Sequence, residues 1–230
     1  MGRNTRISQG VTAPNPTTKY FEWKSKDKCF SYYDKESKQN VQVKLPFKFV
    51  FLDHFHTVKG WSDENSAGIY ANEVKYIGNQ PMNVRTFKTK TRPSVAIANG
   101  IYKDIKPDVV SKGGKYHRSI YIMLEDGSVA NISLKGSGVS AWSEFFNIAR
   151  KSIDGNWVEV AKAKSDKKGS VTFTTPDFNL GANLSAEESA LADNADRMLE
   201  DYMDGYFAQP TEKEAEVVEV DDFDDSDLDF

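Results

Sequence analysis

Cysteine and histidine are scarce in this chain, and so are long apolar runs. Cys29 is the only cysteine in 230 residues, which excludes a disulfide framework and a thiolate zinc site and fits a reducing cytoplasm. Only three histidines occur, and His54 and His56 lack a well-spaced third ligand for a metal. No apolar run reaches the roughly 20 residues of a membrane helix, and residues 1–6 lack the apolar block of a signal peptide.

Sequence motifs of catalysis are missing as well. The chain has no glycine-rich phosphate loop ending in Gly-Lys-Ser/Thr, no Gly-x-Ser-x-Gly elbow and no His-Glu-x-x-His helix. We therefore expect a non-enzymatic, cytoplasmic protein with no catalytic residue, no metal, no cofactor and no membrane partner.

Aromatic residues and an uneven charge distribution are the main features present. The chain contains 14 Phe, 10 Tyr and 4 Trp, enough for a core of ordinary size. Residues 1–176 carry 28 Lys and Arg against 16 Asp and Glu, a net charge of +12. Residues 177–230 carry 2 against 18, a net charge of −16. A basic body with an acidic end is typical of a protein that binds a polyanion.

The hydropathy pattern predicts many short strands and few helices. Residues 41–52 alternate apolar and polar side chains, as in a strand with one buried face, and Pro46 predicts an edge or a bulge there. Glu125-Asp-Gly127 predicts a hairpin turn. Apolar spacing predicts a packing helix over 139–151. Ser185-Ala-Glu-Glu188 is a capping box that predicts a helix to about Met203.

These elements predict a mainly β fold, an OB-fold-like Greek-key barrel with added hairpins and one or two helices. Other barrels and sandwiches fit the same pattern. The expected organisation is a flexible basic arm (1–18), an OB-like nucleic-acid-binding domain (19–180), an acidic helix (181–207) and a disordered acidic tail (208–230).

Basic and aromatic residues are interleaved along the body, as single-strand binding requires: cations for the phosphates and rings for the bases. Arg85-Thr-Phe-Lys-Thr-Lys-Thr-Arg92 is the clearest run. For each ring the alternative is burial in the core. The predicted DNA-binding residues are Trp23, Tyr32, Trp61, Arg85, Phe87, Lys88, Lys90, Arg92, Lys112, Lys115, Tyr116 and Arg118.

The last ten residues contain six aspartates and end on Phe230. Asp222-Phe-Asp-Asp225 followed by a terminal Phe resembles the C-terminal tip of bacterial single-stranded DNA-binding proteins and the acidic, Phe-ending tails of their phage counterparts. The bacterial tip usually has a proline before the last Phe, where this chain has Asp229, so the likeness favours the phage type. The residues expected to bind a partner protein are Asp222, Phe223, Asp224, Asp225, Asp227, Asp229 and Phe230.

The resemblance implies binding of single-stranded DNA with little sequence preference, in the host cytoplasm if the chain is phage-encoded. It also implies that the tip recruits replication, recombination or repair proteins. The alternative from the residues is a non-enzymatic protein-interaction or virion structural β-domain with an acidic tail. Homo-oligomerisation and the choice between DNA and RNA are left open.

Overall fold

The computed structural model of the chain describes residues 13–208. This part is mainly β and contains a mixed sheet and three α-helices. The strands are β1 (Thr17–Lys24), β2 (Cys29–Asp34), β3 (Gln39–Val43), β4 (Phe47–Ser62), β5 (Ala67–Ala71), β6 (Met82–Thr86), β7 (Ala96–Gly100), β8 (Gly114–Met123), β9 (Val129–Lys135), β10 (Asn156–Lys168) and β11 (Val171–Asn183). The helices are α1 (Tyr102–Ser111), α2 (Ser137–Ala149) and α3 (Ala186–Ala208), and a 3-10 turn spans Ile153–Gly155.

One sheet contains all eleven strands, in the order β3-β2-β1-β9-β8-β4-β5-β6-β7, with β10 paired to both β4 and β11. The β1–β9 pair is parallel, and the other pairs are antiparallel. At the far end, the Trp23 indole N–H donates to the Thr174 carbonyl at 2.9 Å, and the Thr174 N–H donates to the Ser25 hydroxyl at 2.8 Å. These bonds hold β11 against the end of β1, so the sheet curls around its core.

Apolar side chains form three buried clusters. The largest lies between the curled sheet and α2 and includes Phe49 and Trp142. The second joins α3, through Ala195 and Leu199, to β4 and β8. The third lies under α1. Phe47, Phe49, Phe51 and Trp142 are buried in the largest cluster, and Phe145 and Phe146 pack against it.

The prediction of one strand over residues 41–52 is wrong, because the chain breaks there into β3 and β4. The break contains Pro46, which has no N–H for a ladder hydrogen bond. β4 instead continues for 16 residues to Ser62. It pairs with β10 near its start, with β8 along most of its length and with β5 at its end.

Helix α1 was not expected from the sequence. It contains Pro107, which removes an intrahelical hydrogen bond, although Tyr102, Ile105 and Val109 have helical spacing and are buried. The capping box that starts α3 is confirmed, since the Glu188 N–H donates to Ser185 Oγ at 3.2 Å and the Ser185 N–H donates to Glu188 Oε2 at 2.7 Å.

The predicted segment boundaries shift where strands extend beyond them. Residues 17 and 18 of the proposed arm belong to β1, and β11 continues to Asn183, past the expected end of the body at residue 180. Residues 1–12 of the arm and the whole tail from 209 lie outside the described residues.

Candidate nucleic-acid interface

The sheet has two chemically different faces. Directly paired residues of neighbouring strands project to the same face, and alternate residues along a strand share that face. One face, the core face, carries the apolar clusters under α1 and α2. The other, the polar face, is packed by α3 at one end and carries mostly small polar residues, lysines and aromatic rings elsewhere. The buried small polar residues on it are Ser31, Thr57, Ser119, Asn131 and Ser133.

A row of cationic and aromatic residues crosses four strands of the polar face. Lys115 in β8 pairs with Lys59 in β4, Lys59 pairs with Tyr70 in β5, and Tyr70 pairs with Arg85 in β6. With strands about 4.8 Å apart, the row spans roughly 14 Å. Burial lowers the pKa of Lys59, and the carboxylates of Glu22 and Glu73 partly oppose that shift. Arg85 Nε donates to Ser94 Oγ at 3.2 Å.

Aromatic rings lie next to this row. Phe87 stacks on Tyr70 with ring centroids 4.5 Å apart and planes at 26°. The Phe87 N–H donates to the Gly68 carbonyl at 2.8 Å, and its ring lies over Gly68, where an added Cβ would come within 3.0 Å of it. On the opposite neighbouring strand, β4, Trp61 is paired directly with Gly68. The Phe87 ring therefore occupies the space that a side chain at position 68 would fill, on the strand next to Trp61.

Two glycines fix the end of β4 that presents Trp61. An added Cβ at Gly113 would lie 2.0 Å from the Trp61 carbonyl oxygen, and one at Gly60 would lie 2.2 Å from the Gly113 carbonyl oxygen. Gly113 also has a φ of 92°, in the region that favours glycine. The backbones of β4 and of the α1–β8 junction can approach this closely only because both positions lack a side chain.

Basic residues from two loops reach Glu64 in the turn that follows Trp61. Lys112, which follows α1, forms a 2.6 Å ion pair with Glu64 in the β4–β5 turn. Arg92 in the β6–β7 loop reaches the Glu64 carbonyl at 3.5 Å. Lys88 and Lys90 are exposed in the same loop. Glu64 thus connects two of the predicted cationic segments to the turn that follows Trp61.

The other end of the polar face is bordered by α3 and a group of tyrosines around Glu73. The Tyr121 hydroxyl donates to the Glu73 carboxylate at 2.8 Å, and the Glu73 N–H donates to the Tyr206 hydroxyl at 2.7 Å. Burial raises the pKa of Glu73. Burial and the nearby Glu73 and Tyr20 raise the pKa of Tyr202 to about 12. The acidic helix α3 is thereby fixed at the border of the polar face.

The structure brings together four of the predicted residues on the polar face: Trp61, Arg85, Phe87 and Lys115. Lys88, Lys90, Arg92 and Lys112 belong to the loops at the same end. Tyr20, Lys59 and Tyr70 also lie on this face but were not among the residues predicted from the sequence. Tyr20 is 45% exposed. Lys59 lies two residues before the predicted Trp61, so both side chains project to the same face of a strand. This spacing could have identified Lys59 from the sequence.

Four other predicted residues belong to the core face. Trp23 packs edge-on against Phe30 at 5.0 Å and uses its indole N–H within the fold, and Tyr32 packs edge-on against Phe21 at 5.3 Å. Tyr116 and Arg118 interact with His56 on the core face. The structure therefore does not place these four beside Trp61 and Phe87, because the residue alternation turns them to the opposite side.

Neither a metal centre nor a membrane span is apparent in the described part. Among residues 13–208 there is no group of three or more His, Cys, Asp or Glu side chains suited to a metal ion. Within the same range no helix has the length and apolar character needed to cross a bilayer. The seven tail residues predicted to bind a partner protein lie outside the described range.

Comparison with known proteins found no similarity: no family model, no curated protein and no solved structure matches the chain.

Proposed function

We propose that the chain binds single-stranded DNA across the polar face, with little sequence preference, through a body of OB-fold type. The observation that carries the proposal is the cross-sheet row Lys115–Lys59–Tyr70–Arg85 with Trp61 and Phe87 at its side. Cations along a path and rings beside it are the two requirements for binding a single strand.

Some residues of this surface bind the phosphates of the strand, and others stack on its bases. Lys59, Lys115 and Arg85 meet the phosphates, a contribution that falls with salt because binding releases counterions. Trp61 and the Phe87–Tyr70 pair stack on bases, and each stacked base contributes about 1–3 kcal/mol whatever its identity. The exposed loop cations Lys88, Lys90 and Arg92 extend the positive surface beyond Trp61.

The acidic tail has two roles in this proposal. Residues 209–230 follow directly on α3, whose Phe207 packs against Phe55 at 5.8 Å, so the tail starts from the border of the polar face. A tethered tail has an effective concentration on the order of millimolar. It competes with weak ligands for the cationic row, and a long single strand displaces it. The freed tip, ending on Phe230, then recruits replication, recombination or repair proteins.

The experiment is a fluorescence titration of the full-length chain with oligo-dT at several salt concentrations. We expect tryptophan quenching and an affinity that falls linearly on a log–log plot against salt. The Trp61→Phe variant should keep most of the affinity and lose much of the quenching, because the ring remains but the reporter is gone. Absence of salt-dependent binding would reject the proposal.

A protein-interaction role has one observation in its favour. Ile148 on α2 is 86% exposed, and Leu180 on β11 is 41% exposed. Both line a cleft of about 340 Å³ between α2 and β11, together with Phe145 and Pro176. This reading predicts no binding of oligo-dT at any salt concentration.

A further inference from the structure

A chain of hydrogen bonds on the core face ends in donors that have no acceptor. Arg118 Nη1 lies 3.1 Å from His56 Nε2, and His56 Nδ1 lies 2.6 Å from the Tyr116 hydroxyl. A guanidinium can only donate, so Nε2 is the acceptor and the neutral imidazole carries its hydrogen on Nδ1. That hydrogen is donated to Tyr116. The hydroxyl hydrogen of Tyr116 must then point elsewhere, and the hydrogen bond recorded for this hydroxyl among residues 13–208 is the one to His56.

The His56 imidazole is neutral at physiological pH, as this series of hydrogen bonds requires. Burial, the positive charge of Arg118, and the nearby His54 and Lys75 lower the pKa of His56 to about 4. Arg118 therefore faces a neutral histidine and a neutral tyrosine.

The charge of Arg118 is not balanced within the described residues. The side chain is half-buried, its Nε is buried without a hydrogen-bond partner, and the ion pairs recorded among residues 13–208 do not include it. Removing a charge from water without pairing it is costly. A bound anion would remove this cost.

The hydrogen-bonded residues Arg118, His56 and Tyr116 lie at the boundary between the part of the core face that α1 covers and the part that α2 covers. The Tyr116 ring packs against Tyr102 of α1 with centroids 5.4 Å apart. His54, two residues before His56, packs against Phe146 of α2 at 4.7 Å. Tyr116 and Arg118 are both half-buried rather than sealed, so a small ligand has access to them.

We propose that Arg118 and Tyr116 form a binding site for a phosphate group on the core face. A guanidinium offers paired N–H donors that match two oxygens of a phosphate, and a tyrosine hydroxyl adds a short O–H···O⁻ bond. His56 positions both groups and does not touch the ligand. The site shares no residue with the polar face, so it stands independently of the proposal for single-stranded DNA. The phosphate is either free or part of a nucleotide.

The test is thermal unfolding of the full-length chain in millimolar inorganic phosphate, thymidine 5′-monophosphate or chloride at matched ionic strength. A ligand that binds only the folded state raises the midpoint temperature. We expect the parent to unfold at a higher temperature in phosphate than in chloride. Arg118→Gln and Tyr116→Phe should each weaken the apparent affinity by about ten-fold or more. A larger shift with the monophosphate would identify a nucleotide as the ligand.

Two further variants separate this site from other causes. Arg85→Gln, on the polar face, should keep the full phosphate shift while it weakens binding of oligo-dT. Tyr116→Phe keeps the ring, so it tests the site even if Arg118→Gln fails to fold. The same phosphate shift in parent, Arg118→Gln and Tyr116→Phe would overturn the proposal, and so would the absence of any shift in the parent.

Discussion

Lys59 in β4 and Lys115 in β8 are directly paired across the sheet. Like charges in opposite positions destabilise a strand pair, and burial additionally lowers the pKa of Lys59. An arrangement that costs stability is expected at functional sites. The paired lysines are therefore the strongest single indication that the polar face receives an anion.

Neutralising either lysine should weaken DNA binding without harming the fold. For Lys59→Gln and Lys115→Gln we expect lower affinity for oligo-dT and a salt slope smaller by about one for each variant. For Lys115→Gln the free energy of unfolding should stay the same or rise, because a repulsive pair is removed, whereas for Lys59→Gln this gain is offset by the lost attraction to Glu22 and Glu73. Lys106→Gln on the outer surface of α1 is the matched control and should change neither quantity. Equal salt slopes in all three variants would exclude the polar face as the DNA path.

Removing the ring of Phe87 or Trp61 should weaken DNA binding by the stacking energy that the ring contributes. Phe87→Ala and Trp61→Ala should each weaken oligo-dT binding by about 1–3 kcal/mol. Gly68→Ala should have a smaller effect in the same direction, since its Cβ would displace the Phe87 ring that lies 3.0 Å away. Tyr32→Leu, a ring change on the core face, is the comparison. If it costs as much DNA affinity as Phe87→Ala, the rings of the polar face have no special role.

The close packing of Gly113 against the backbone of Trp61 can be tested by measuring the free energy of unfolding. Gly113→Ala would place a Cβ 2.0 Å from the Trp61 carbonyl oxygen at a φ of 92°. We expect a loss of at least about 2 kcal/mol in the free energy of unfolding, measured by urea denaturation. Gly155→Ala is the control, because an added Cβ there meets nothing within 4 Å. Similar unfolding midpoints for the two variants would contradict the close approach of Gly113 to the Trp61 backbone.

Local features of this fold could be predicted from the sequence, and long-range ones could not. The β8–β9 hairpin and the Ser185–Glu188 capping box involve neighbouring residues, so their signals are contained in short segments. The pairing of Lys59 with Tyr70 and Lys115 depends on which strands lie next to β4, and no short segment encodes that. The burial pattern of α3 illustrates the same limit: the large apolar side chains of Leu191 and Met198 are 43% and 49% exposed, while Ala192 and Met203 are buried.

The two histidines of β4 should make the protein less stable in mild acid. Burial and the charges of Arg118 and Lys75 lower the pKa of His54 to about 4, and burial and Arg118 lower that of His56 to about 4. The unfolded chain has the ordinary value near 6.5. Between these values the unfolded state binds more protons, so stability falls as the pH is lowered from about 6.5 to 4.

Urea denaturation across this pH range measures the effect. The His54→Gln, His56→Gln double variant should show a flatter dependence than the parent. Titration of the carboxyl groups is common to both proteins, and the difference between them isolates the histidines. Parallel curves would mean that the two imidazoles titrate normally in the folded state.

Removing the acidic tail should increase DNA affinity at low salt. Deletion of 209–230 removes a tethered anion that competes for the cationic row, so we expect several-fold tighter oligo-dT binding at low salt and convergence with the full-length chain at high salt. A variant with the six aspartates of residues 221–229 changed to asparagine keeps the length and the terminal Phe. If charge causes the competition, this variant behaves like the deletion. If only the deletion tightens binding, length or the apolar tip is responsible, and unchanged affinity in both would exclude competition by the tail.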